Sequence, residues 1–140
     1  PVAMERSIVK LDQKTENKKI ERWQKISEVA AKQSKRDKIP TIKNVINVEN
    51  ICKNASKYDR ILIAFENEKE NTLKRELKKL EKTKQQTIAV VIGPEGGIAD
   101  KEVQQLEEAG AKSITLGKRI LRTETASLVV LSNILYELEE

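Results

Sequence analysis

Two loops in the second half of this sequence hold the residues whose types and spacing could do chemistry. The first, GPEGG at 93–97, contains three glycines, which let backbone amides and carbonyls approach a ligand closely. The second, GKRILRTETA at 117–126, is rich in arginine and threonine. Two glycine-rich patterns typically bind phosphates, G-x-x-x-x-G-K-S/T and G-x-G-x-x-G, and the first loop matches neither. On its own, GPEGG is equally consistent with a plain turn between a strand and a helix.

The rest of the composition excludes several kinds of site. The sequence has no histidine and one cysteine, Cys52. This rules out Ser-His and Cys-His catalysis, histidine-bound metals, an internal disulfide and multi-cysteine zinc sites. No segment matches a calcium-binding loop, and we expect no metal. No apolar run is long enough to span a bilayer, and no signal segment precedes Pro1, so a soluble cytoplasmic protein, or a fragment of one, is expected.

The elements that must position the two loops alternate between strand and helix. Their predicted order is strand 60–66, helix 67–84, strand 88–92, helix 100–109, strand 113–116 and helix 126–138. This alternation indicates an α/β fold with a parallel sheet. Both loops then follow the carboxyl ends of strands, which is the edge where open α/β sheets bind ligands. Asp100 is the predicted N-cap, and Gly110 the predicted C′ residue, of the helix between them.

The first sixty residues are basic. They carry 15 Lys and Arg against 8 Asp and Glu, whereas residues 88–140 carry 5 against 9. A basic front half fits a polyanionic partner such as a nucleic acid. A lysine-rich solvated surface is equally consistent, and the four aromatic residues of the chain provide no stacking surface. Helical spacing predicts a helix at 20–35 with Trp23 as a core anchor, after a strand-like stretch at 7–11.

The last predicted helix is apolar on more than one side. Leu128, Leu131, Leu135 and Leu138 form one stripe, and Ala126, Val130 and Ile134 form another. A helix of this kind needs a second covering surface. A dimer interface would supply that surface, and deep burial inside one domain is the alternative.

Four ordered blocks of the sequence point to a known family. They are PVAMERSIVK at 1–10, ERW at 21–23 with AAKQSKR and IP at 30–40, IGPEGG at 92–97, and LGKRILRTETA at 116–126. Together they resemble the RsmE family of SPOUT-class methyltransferases, which methylate N3 of a uridine in bacterial 16S ribosomal RNA. The resemblance covers nearly the whole chain. It implies an α/β SPOUT fold with a C-terminal trefoil knot, S-adenosylmethionine as the cofactor, and a homodimer formed through the last helix.

The resemblance also implies the residues of the cofactor site. Those carried over from the first loop are Ile92, Gly93, Glu95, Gly96 and Gly97. Those carried over from the second loop are Leu116, Gly117, Ile120, Leu121 and Arg122. By analogy with SPOUT enzymes, Ala64, Phe65 and Glu66 form a third wall.

Methylation at N3 requires that the uridine lose its N3 proton, so a general base or a cation near the developing negative charge is needed. Without histidine, Arg122 is the predicted charge-stabilising residue, and Glu124 either orients it or acts as the base. Glu124 is equally consistent with a carboxylate that stabilises a helix N-terminus. Arg36 and Arg119 are predicted RNA contacts, although Arg36 also fits a solvated helix end.

The resemblance implies that residues 1–140 form the methyltransferase domain. It implies that the N-terminal PUA-like RNA-binding domain of the family, and the first strand and helix of its SPOUT domain, are missing. The expected partner is ribosomal RNA in the small ribosomal subunit, with no membrane. Two alternatives stay open, a non-catalytic RNA-binding or assembly module that keeps the knot, and a nucleotide-binding α/β domain that uses GPEGG as an anion loop.

Overall fold

The computed structural model describes residues 1–10, 12–81 and 85–138, and this part of the chain divides into two compact units. Unit 1 comprises Pro1–Ala3 and Val9–Asn47, and unit 2 comprises Met4–Ile8 and Val48–Glu140. The short segment Met4–Ile8 therefore belongs with unit 2, although unit 1 flanks it in sequence.

Unit 1 is built on one long helix. Its elements are strand β1 (Val2–Ala3), helix α1 (Gln13–Gln33) and strand β2 (Ile46–Asn47). The two short strands pair in parallel, with Val2 opposite Ile46 and Ala3 opposite Asn47. Trp23, the predicted core anchor, is half-buried. The predicted strand at 7–11 was wrong for residues 7–10, and Leu11 lies outside the described residues.

Helix α1 begins seven residues before the predicted start at residue 20. The reason is a polar N-cap, since the Asp12 carboxylate accepts a hydrogen bond of 2.7 Å from the Thr15 N–H. The first two turns contain almost no apolar residues, so hydrophobic spacing could not reveal them.

One side of α1 packs against the segment that follows it. The Gln24 Oε1 accepts a hydrogen bond from the Ile42 N–H at 2.8 Å, and the Glu16 Oε1 accepts one from the Val45 N–H at 3.1 Å. The Ser27 hydroxyl donates to the Pro40 carbonyl at 2.7 Å. Hydrogen bonds between side chains of α1 and the backbone of the following segment thus hold that segment against this helix.

Helix α1 ends in a Schellman motif with an unusual residue. The Arg36 N–H donates to the Ala31 carbonyl at 2.9 Å, and the Lys35 N–H donates to the Lys32 carbonyl at 3.2 Å. Lys35 has φ of 57°, a left-handed conformation that glycine adopts without strain.

The Lys35→Gly variant should therefore be more stable than the parent chain, by about 1 kcal/mol, because the left-handed strain of a side-chain residue disappears. Thermal unfolding followed by circular dichroism measures the change. Lys38→Gly is the matched control, since Lys38 is exposed and has no left-handed φ to relieve. If both variants lose stability, the added flexibility of the unfolded chain outweighs the strain.

Unit 2 is an α/β unit around a parallel sheet. Its elements are α2 (Val48–Lys53), a 3-10 turn (Ala55–Lys57), β3 (Arg60–Ala64), α3 (Leu73–Leu77), β4 (Ile88–Ile92), α4 (Asp100–Glu108), β5 (Lys112–Ile114) and α5 (Thr123–Leu138). The three strands β4, β3 and β5 lie side by side in that order, and both pairings are parallel. The predicted strand-and-helix alternation with a parallel sheet is thus confirmed.

The central strand explains the unalternating apolar run in its sequence. Leu62 and Ile63 of β3 are fully buried, because both faces of this strand are covered. One core cluster joins Leu62 and Ile114 of the sheet to Leu73, Leu77 and Val130 of α3 and α5.

Several boundaries differ from the predicted ones. Helix α3 is far shorter than predicted, because the Glu68 carboxylate accepts hydrogen bonds from the Glu70 and Asn71 N–H groups and shapes a turn before the helix. Residues 82–84 of that prediction lie outside the described residues. Strand β5 begins one residue before the predicted start and ends two residues before the predicted end, and α5 begins at Thr123 instead of 126.

Of the two residues predicted to end α4, the N-cap residue was wrong and the C′ residue was correct. The N-cap is Ala99, so the prediction of Asp100 was wrong by one residue. Ala99 has no side-chain acceptor, and the Glu102 carboxylate accepts a hydrogen bond from its N–H at 3.3 Å. Gly110 is the C′ residue as predicted, with φ of 101° and the Ala111 N–H donating to the Leu106 carbonyl.

Glu76 is a buried carboxylate in α3, with 1% of its surface exposed. It forms an ion pair with Lys79, and the Arg60 Nη1 lies 4.0 Å from its Oε2. Burial by itself raises the pKa of Glu76. Hydrogen bonds from the Lys79 and Asn71 side chains, together with the charges of Lys79 and Arg60, outweigh burial and hold this pKa below its ordinary value of 4.5.

The lowered pKa of Glu76 predicts a loss of stability in acid. The folded carboxyl takes up its proton at lower pH than the unfolded one, so its contribution to the free energy of unfolding is complete above pH 4.5. That contribution disappears as the pH falls through the folded pKa. Urea unfolding across this range should show a weaker acid dependence for Glu76→Gln than for the parent chain, whereas parallel curves would contradict the assignment.

Candidate functional site

A cavity of about 1020 Å³ lies at the carboxyl ends of β3, β4 and β5. Three segments line most of it, namely Ala64–Lys69 after β3, Ile92–Glu95 after β4, and Thr115–Glu124 after β5. This is the edge at which open α/β sheets bind their ligands. Its volume is at the upper end for small-molecule sites, so a nucleoside-sized ligand would fit.

The glycine loop forms one wall of the cavity, and two of its glycines lie close to neighbouring side chains. Gly97 is buried and has φ of 74°, and a Cβ added to it would lie 2.6 Å from the Glu66 Oε1. A Cβ added to Gly93 would lie 2.6 Å from the Ile98 Cγ1. The Gly97 N–H donates to the Pro94 carbonyl at 2.8 Å, which closes the turn. The glycines thus bring the first loop into close contact with the segment after β3.

Gly96 does not line the cavity and contacts Arg6 instead. The Arg6 Nη1 donates to the Gly96 carbonyl at 3.3 Å, and a Cβ at Gly96 would lie 3.2 Å from the Arg6 Cβ. One residue earlier, the Glu5 N–H donates to the Glu102 Oε1 at 2.9 Å. Residues 4–8 therefore support the outer side of the glycine loop. The sequence contained no local signal for this contact, because its partners lie some ninety residues apart.

The second loop is joined directly to the first. The Thr123 hydroxyl, at the start of α5, donates to the Gly93 carbonyl at 3.0 Å. Gly117 turns the chain after β5 with φ of 112°, and its N–H donates to the Thr115 Oγ1 at 3.2 Å. Ile120 is 85% exposed at the mouth of the cavity. The two loops thus form one continuous wall, although more than twenty residues separate them in sequence.

The cavity carries charges of both signs. Its lining includes four carboxylates and four cations, namely Glu66, Glu68, Glu95, Glu124, Lys69, Lys118, Arg119 and Arg122. Within residues 1–10, 12–81 and 85–138, none of the four cations forms an ion pair. Arg122 and Glu124 are exposed and do not pair with each other. The guanidinium of Arg122 therefore has its charge available to a ligand.

Glu68 is a carboxylate of the cavity whose pKa is set by the neighbouring backbone. Hydrogen bonds from the backbone N–H groups of Asn71 and Glu70 hold the pKa of Glu68 below its ordinary value. This side chain is therefore an anion at neutral pH and is fixed by the same turn that shortens α3.

The structure brings together nearly all of the predicted site residues. Every predicted cofactor residue except Gly96 lines the cavity, and so do Arg119 and Glu124. Arg36 belongs to unit 1. The lining residues that were not predicted are Asn67, Glu68, Lys69, Thr72, Pro94, Ile98, Ile114, Thr115, Lys118, Thr123 and Ala126. Position directly after a strand could have indicated several of them, and Thr123 lies inside the RTETA motif.

The described residues also lack a metal-binding cluster and a membrane-spanning helix. They contain no group of three histidine, cysteine, aspartate or glutamate side chains placed to hold a metal ion. None of the helices in this part of the chain is both long enough and apolar enough to cross a bilayer.

Comparison with known proteins agrees with this geometry. A model of the RNA methyltransferase domain family matches residues 1–135. The ribosomal RNA small subunit methyltransferase E of Bacillus subtilis (strain 168) is 38% identical over 144 residues, which cover 99% of this chain and 55% of that protein. The protein of the same name from Mesomycoplasma hyopneumoniae (strain 232) is 44% identical over 115 residues, which cover 82% of this chain and 48% of the relative.

A solved structure shares the fold. It is a crystal structure of a ribosomal RNA small subunit methyltransferase E from Neisseria gonorrhoeae bound to S-adenosyl methionine. It superposes with a TM-score of 0.79 at 34% identity, and the match covers 97% of this chain and 53% of that one. This chain spans about half the length of the curated relatives that it matches. The resemblance found in the sequence motifs is confirmed, and the chain belongs to the RNA methyltransferase domain family.

Proposed function

We propose that this chain is the catalytic part of an S-adenosylmethionine-dependent methyltransferase that methylates N3 of a uridine in 16S ribosomal RNA. The observation that carries the proposal is the cavity of about 1020 Å³ in which the three loops at the sheet edge converge. The loops that were expected to hold the cofactor form its walls. The Neisseria gonorrhoeae relative, with 34% identity, is bound to S-adenosyl methionine.

The residues of the cavity fit a sulfonium-bearing nucleoside. Leu116, Ile120 and Leu121 provide apolar surface, while the absence of side chains at Gly93 and Gly97 opens the backbone of the first loop. The lining has four carboxylates and four cations, so it suits a ligand that itself carries charges of both signs, as S-adenosylmethionine does. S-adenosylmethionine, when bound, supplies an electrophilic methyl group. The third wall is assigned to Ala64, Phe65 and Glu66.

The chain's own contribution to the reaction is electrostatic. Loss of the N3 proton leaves negative charge on the uracil oxygens and nitrogen, and a nearby guanidinium stabilises this charge. Arg122 is assigned this role because it lies at the cavity, is exposed and forms no ion pair with any described residue. Glu124 has two alternative roles. It either accepts the N3 proton as the base, or it stabilises the N-terminus of α5 as a carboxylate in the first turn.

The proposal includes the trefoil knot of the SPOUT fold. The sheet order β4-β3-β5 supports it, because the chain must return past the central strand after β5. The packing of α5 against both α3 and β4, together with the Thr123–Gly93 hydrogen bond, is what such a return would produce.

The proposal also includes a homodimer formed through α5. Ala126 and Val130 of α5 are buried, whereas Leu128 is 70%, Leu131 51% and Leu135 37% exposed. The leucine stripe of this helix is thus open to solvent in the single chain except at Leu138, which packs against the core, and this exposure supports an intermolecular covering surface.

The remaining assignments concern RNA and domain organisation. Residues 1–140 are assigned to the methyltransferase domain of a longer family architecture, with Arg36 and Arg119 as RNA contacts. The partner would be the small ribosomal subunit, which implies a cytoplasmic location.

Calorimetric titration with S-adenosylmethionine tests the cofactor assignment. The folded chain should bind about one molecule per chain, and S-adenosylhomocysteine should compete for the site. Competition by ATP but not by S-adenosylhomocysteine would favour the nucleotide-binding alternative. No binding by a chain shown to be folded by circular dichroism would favour the non-catalytic module.

Transfer of a labelled methyl group to 16S ribosomal RNA, followed by nucleoside analysis, tests the reaction itself. The product should be uridine methylated at N3. Methylation at any other atom would contradict the proposed specificity and leave the cofactor assignment intact.

A further inference from the structure

Helix α1 of unit 1 carries a basic stripe on one side. At about 100° per residue, positions 14, 18, 22, 25, 29 and 32 fall within an arc of roughly 80°. Five of these six positions are basic and exposed, namely Lys14, Lys18, Arg22, Lys25 and Lys32. The sixth is Val29, so the arc contains no acidic residue. We call these five cations the α1 stripe.

The α1 stripe lies opposite the side of the helix that packs. Glu16, Gln24 and Ser27 bind the segment 40–45, and Ala31 is 3% exposed. By the same helical geometry, these residues are centred about 180° away from the stripe. The fold of unit 1 therefore leaves the basic side of α1 uncovered.

None of the five cations of the α1 stripe forms an ion pair with a described residue. The ion pairs among the described residues, Glu49–Lys53, Arg60–Glu76 and Lys79–Glu76, all lie in unit 2. Lys14, Lys18 and Arg22 follow one another at i,i+4 spacing, which brings like charges together and destabilises a helix. Glu21 and Glu28 lie beside the stripe at i,i+3 and i,i+4 spacing, but neither forms an ion pair with it. An anionic partner would reduce the repulsion that remains.

We infer that the α1 stripe binds the phosphate backbone of RNA. The inference rests on the proposed function for the identity of the polyanion. The stripe extends about 27 Å along the helix at 1.5 Å per residue, which is long enough to contact several successive phosphates. Arg36 is a further exposed cation just after the helix end, where the Schellman motif fixes its backbone. Contacts of this kind confer affinity and orientation without sequence preference.

Salt-dependent RNA binding tests the inference on the complete 140-residue chain. The test variant is Lys18→Gln with Lys25→Gln, and the matched control is Lys74→Gln with Lys101→Gln. The control residues are exposed helix residues of unit 2 outside the cavity, and both variants lose the same charge. Fluorescence anisotropy with a labelled RNA hairpin, over roughly 50 to 200 mM salt, gives the affinity and its salt slope.

The test variant should bind RNA about tenfold more weakly at low salt, and its salt slope should be smaller by about 1 to 2. The control should keep the parent slope. A test variant with the parent slope, or an equal fall in both variants, would overturn the inference. Tighter binding of the parent chain to phosphatidylserine vesicles than to the RNA hairpin would overturn RNA as the partner.

Two measurements separate this inference from folding effects and from the proposed function. Glutamine is a good helix former, so circular dichroism should show an unchanged helix content in the test variant. Its affinity for S-adenosylmethionine should equal that of the parent chain. If the parent binds RNA through the stripe but binds no S-adenosylmethionine, the inference stands and the proposed function fails.

Discussion

The Gly97→Ala variant should bind S-adenosylmethionine at least about tenfold more weakly than the parent chain. A left-handed conformation costs an L-residue about 1 to 2 kcal/mol, and a Cβ at Gly97 would lie 2.6 Å from the Glu66 Oε1. The exposed Glu66 side chain can move away from the added Cβ, but the left-handed strain is relieved only when the loop leaves its conformation. Cofactor binding must then restore that conformation. Each 1.4 kcal/mol of this cost is about a factor of ten in affinity.

Gly110→Ala provides the control for Gly97→Ala. Gly110 also has a left-handed φ, of 101°, but it caps α4 outside the cavity and no atom lies within 4 Å of an added Cβ. Both variants should lose stability in thermal unfolding, and only Gly97→Ala should lose affinity in calorimetry. If the folded fraction of Gly97→Ala binds S-adenosylmethionine with unchanged affinity, GPEGG is only a structural turn and its assignment to the cofactor site is wrong.

The proposed homodimer predicts that the Leu131→Arg variant is monomeric at concentrations where the parent chain is expected to be a dimer. Leu131 lies in the exposed apolar stripe of α5, and a charge buried without a partner in an interface is strongly unfavourable. A central interface residue typically contributes about 2 to 4 kcal/mol, which would weaken association by about two orders of magnitude. Light scattering after size exclusion measures the mass.

Asn133→Arg is the matched control for the interface. Asn133 is exposed on α5 and lies about 160° around the helix from both Leu131 and Leu135 at about 100° per residue. This variant adds the same charge to the same helix and should remain dimeric. A Leu131→Arg chain that stays soluble with the mass of the parent dimer would refute the interface assignment.

Much of the α/β unit could be predicted because its signals are local. Ile88–Ile92 is a run of apolar residues with no alternation, and the structure places β4 at those five residues. Parallel strands bring their carboxyl ends to one edge, so the positions of GPEGG and LGKRILRTETA followed from topology alone. That is why nearly every predicted cofactor residue lines one cavity.

The failures have equally specific causes. The predicted span of α3 was too long because the charged residues from 67 onward fit a helical period. In the structure the Glu68 carboxylate accepts hydrogen bonds from two backbone N–H groups and forms a turn there. The start of α1 was missed because a polar cap, not an apolar stripe, defines it. The contact between Arg6 and Gly96 joins distant parts of the chain, and spacing rules do not reach that far.

The position of residues 4–8 limits how the chain can be shortened. A truncation that begins at Val48 looks like a clean boundary for the α/β unit, yet it removes the two contacts that support the glycine loop from outside. The Gly96 carbonyl would lose the Arg6 guanidinium, and the Glu102 carboxylate would lose the Glu5 N–H. A minimal version of this unit therefore needs the peptide MERSI supplied again, either through a new linker or by circular permutation.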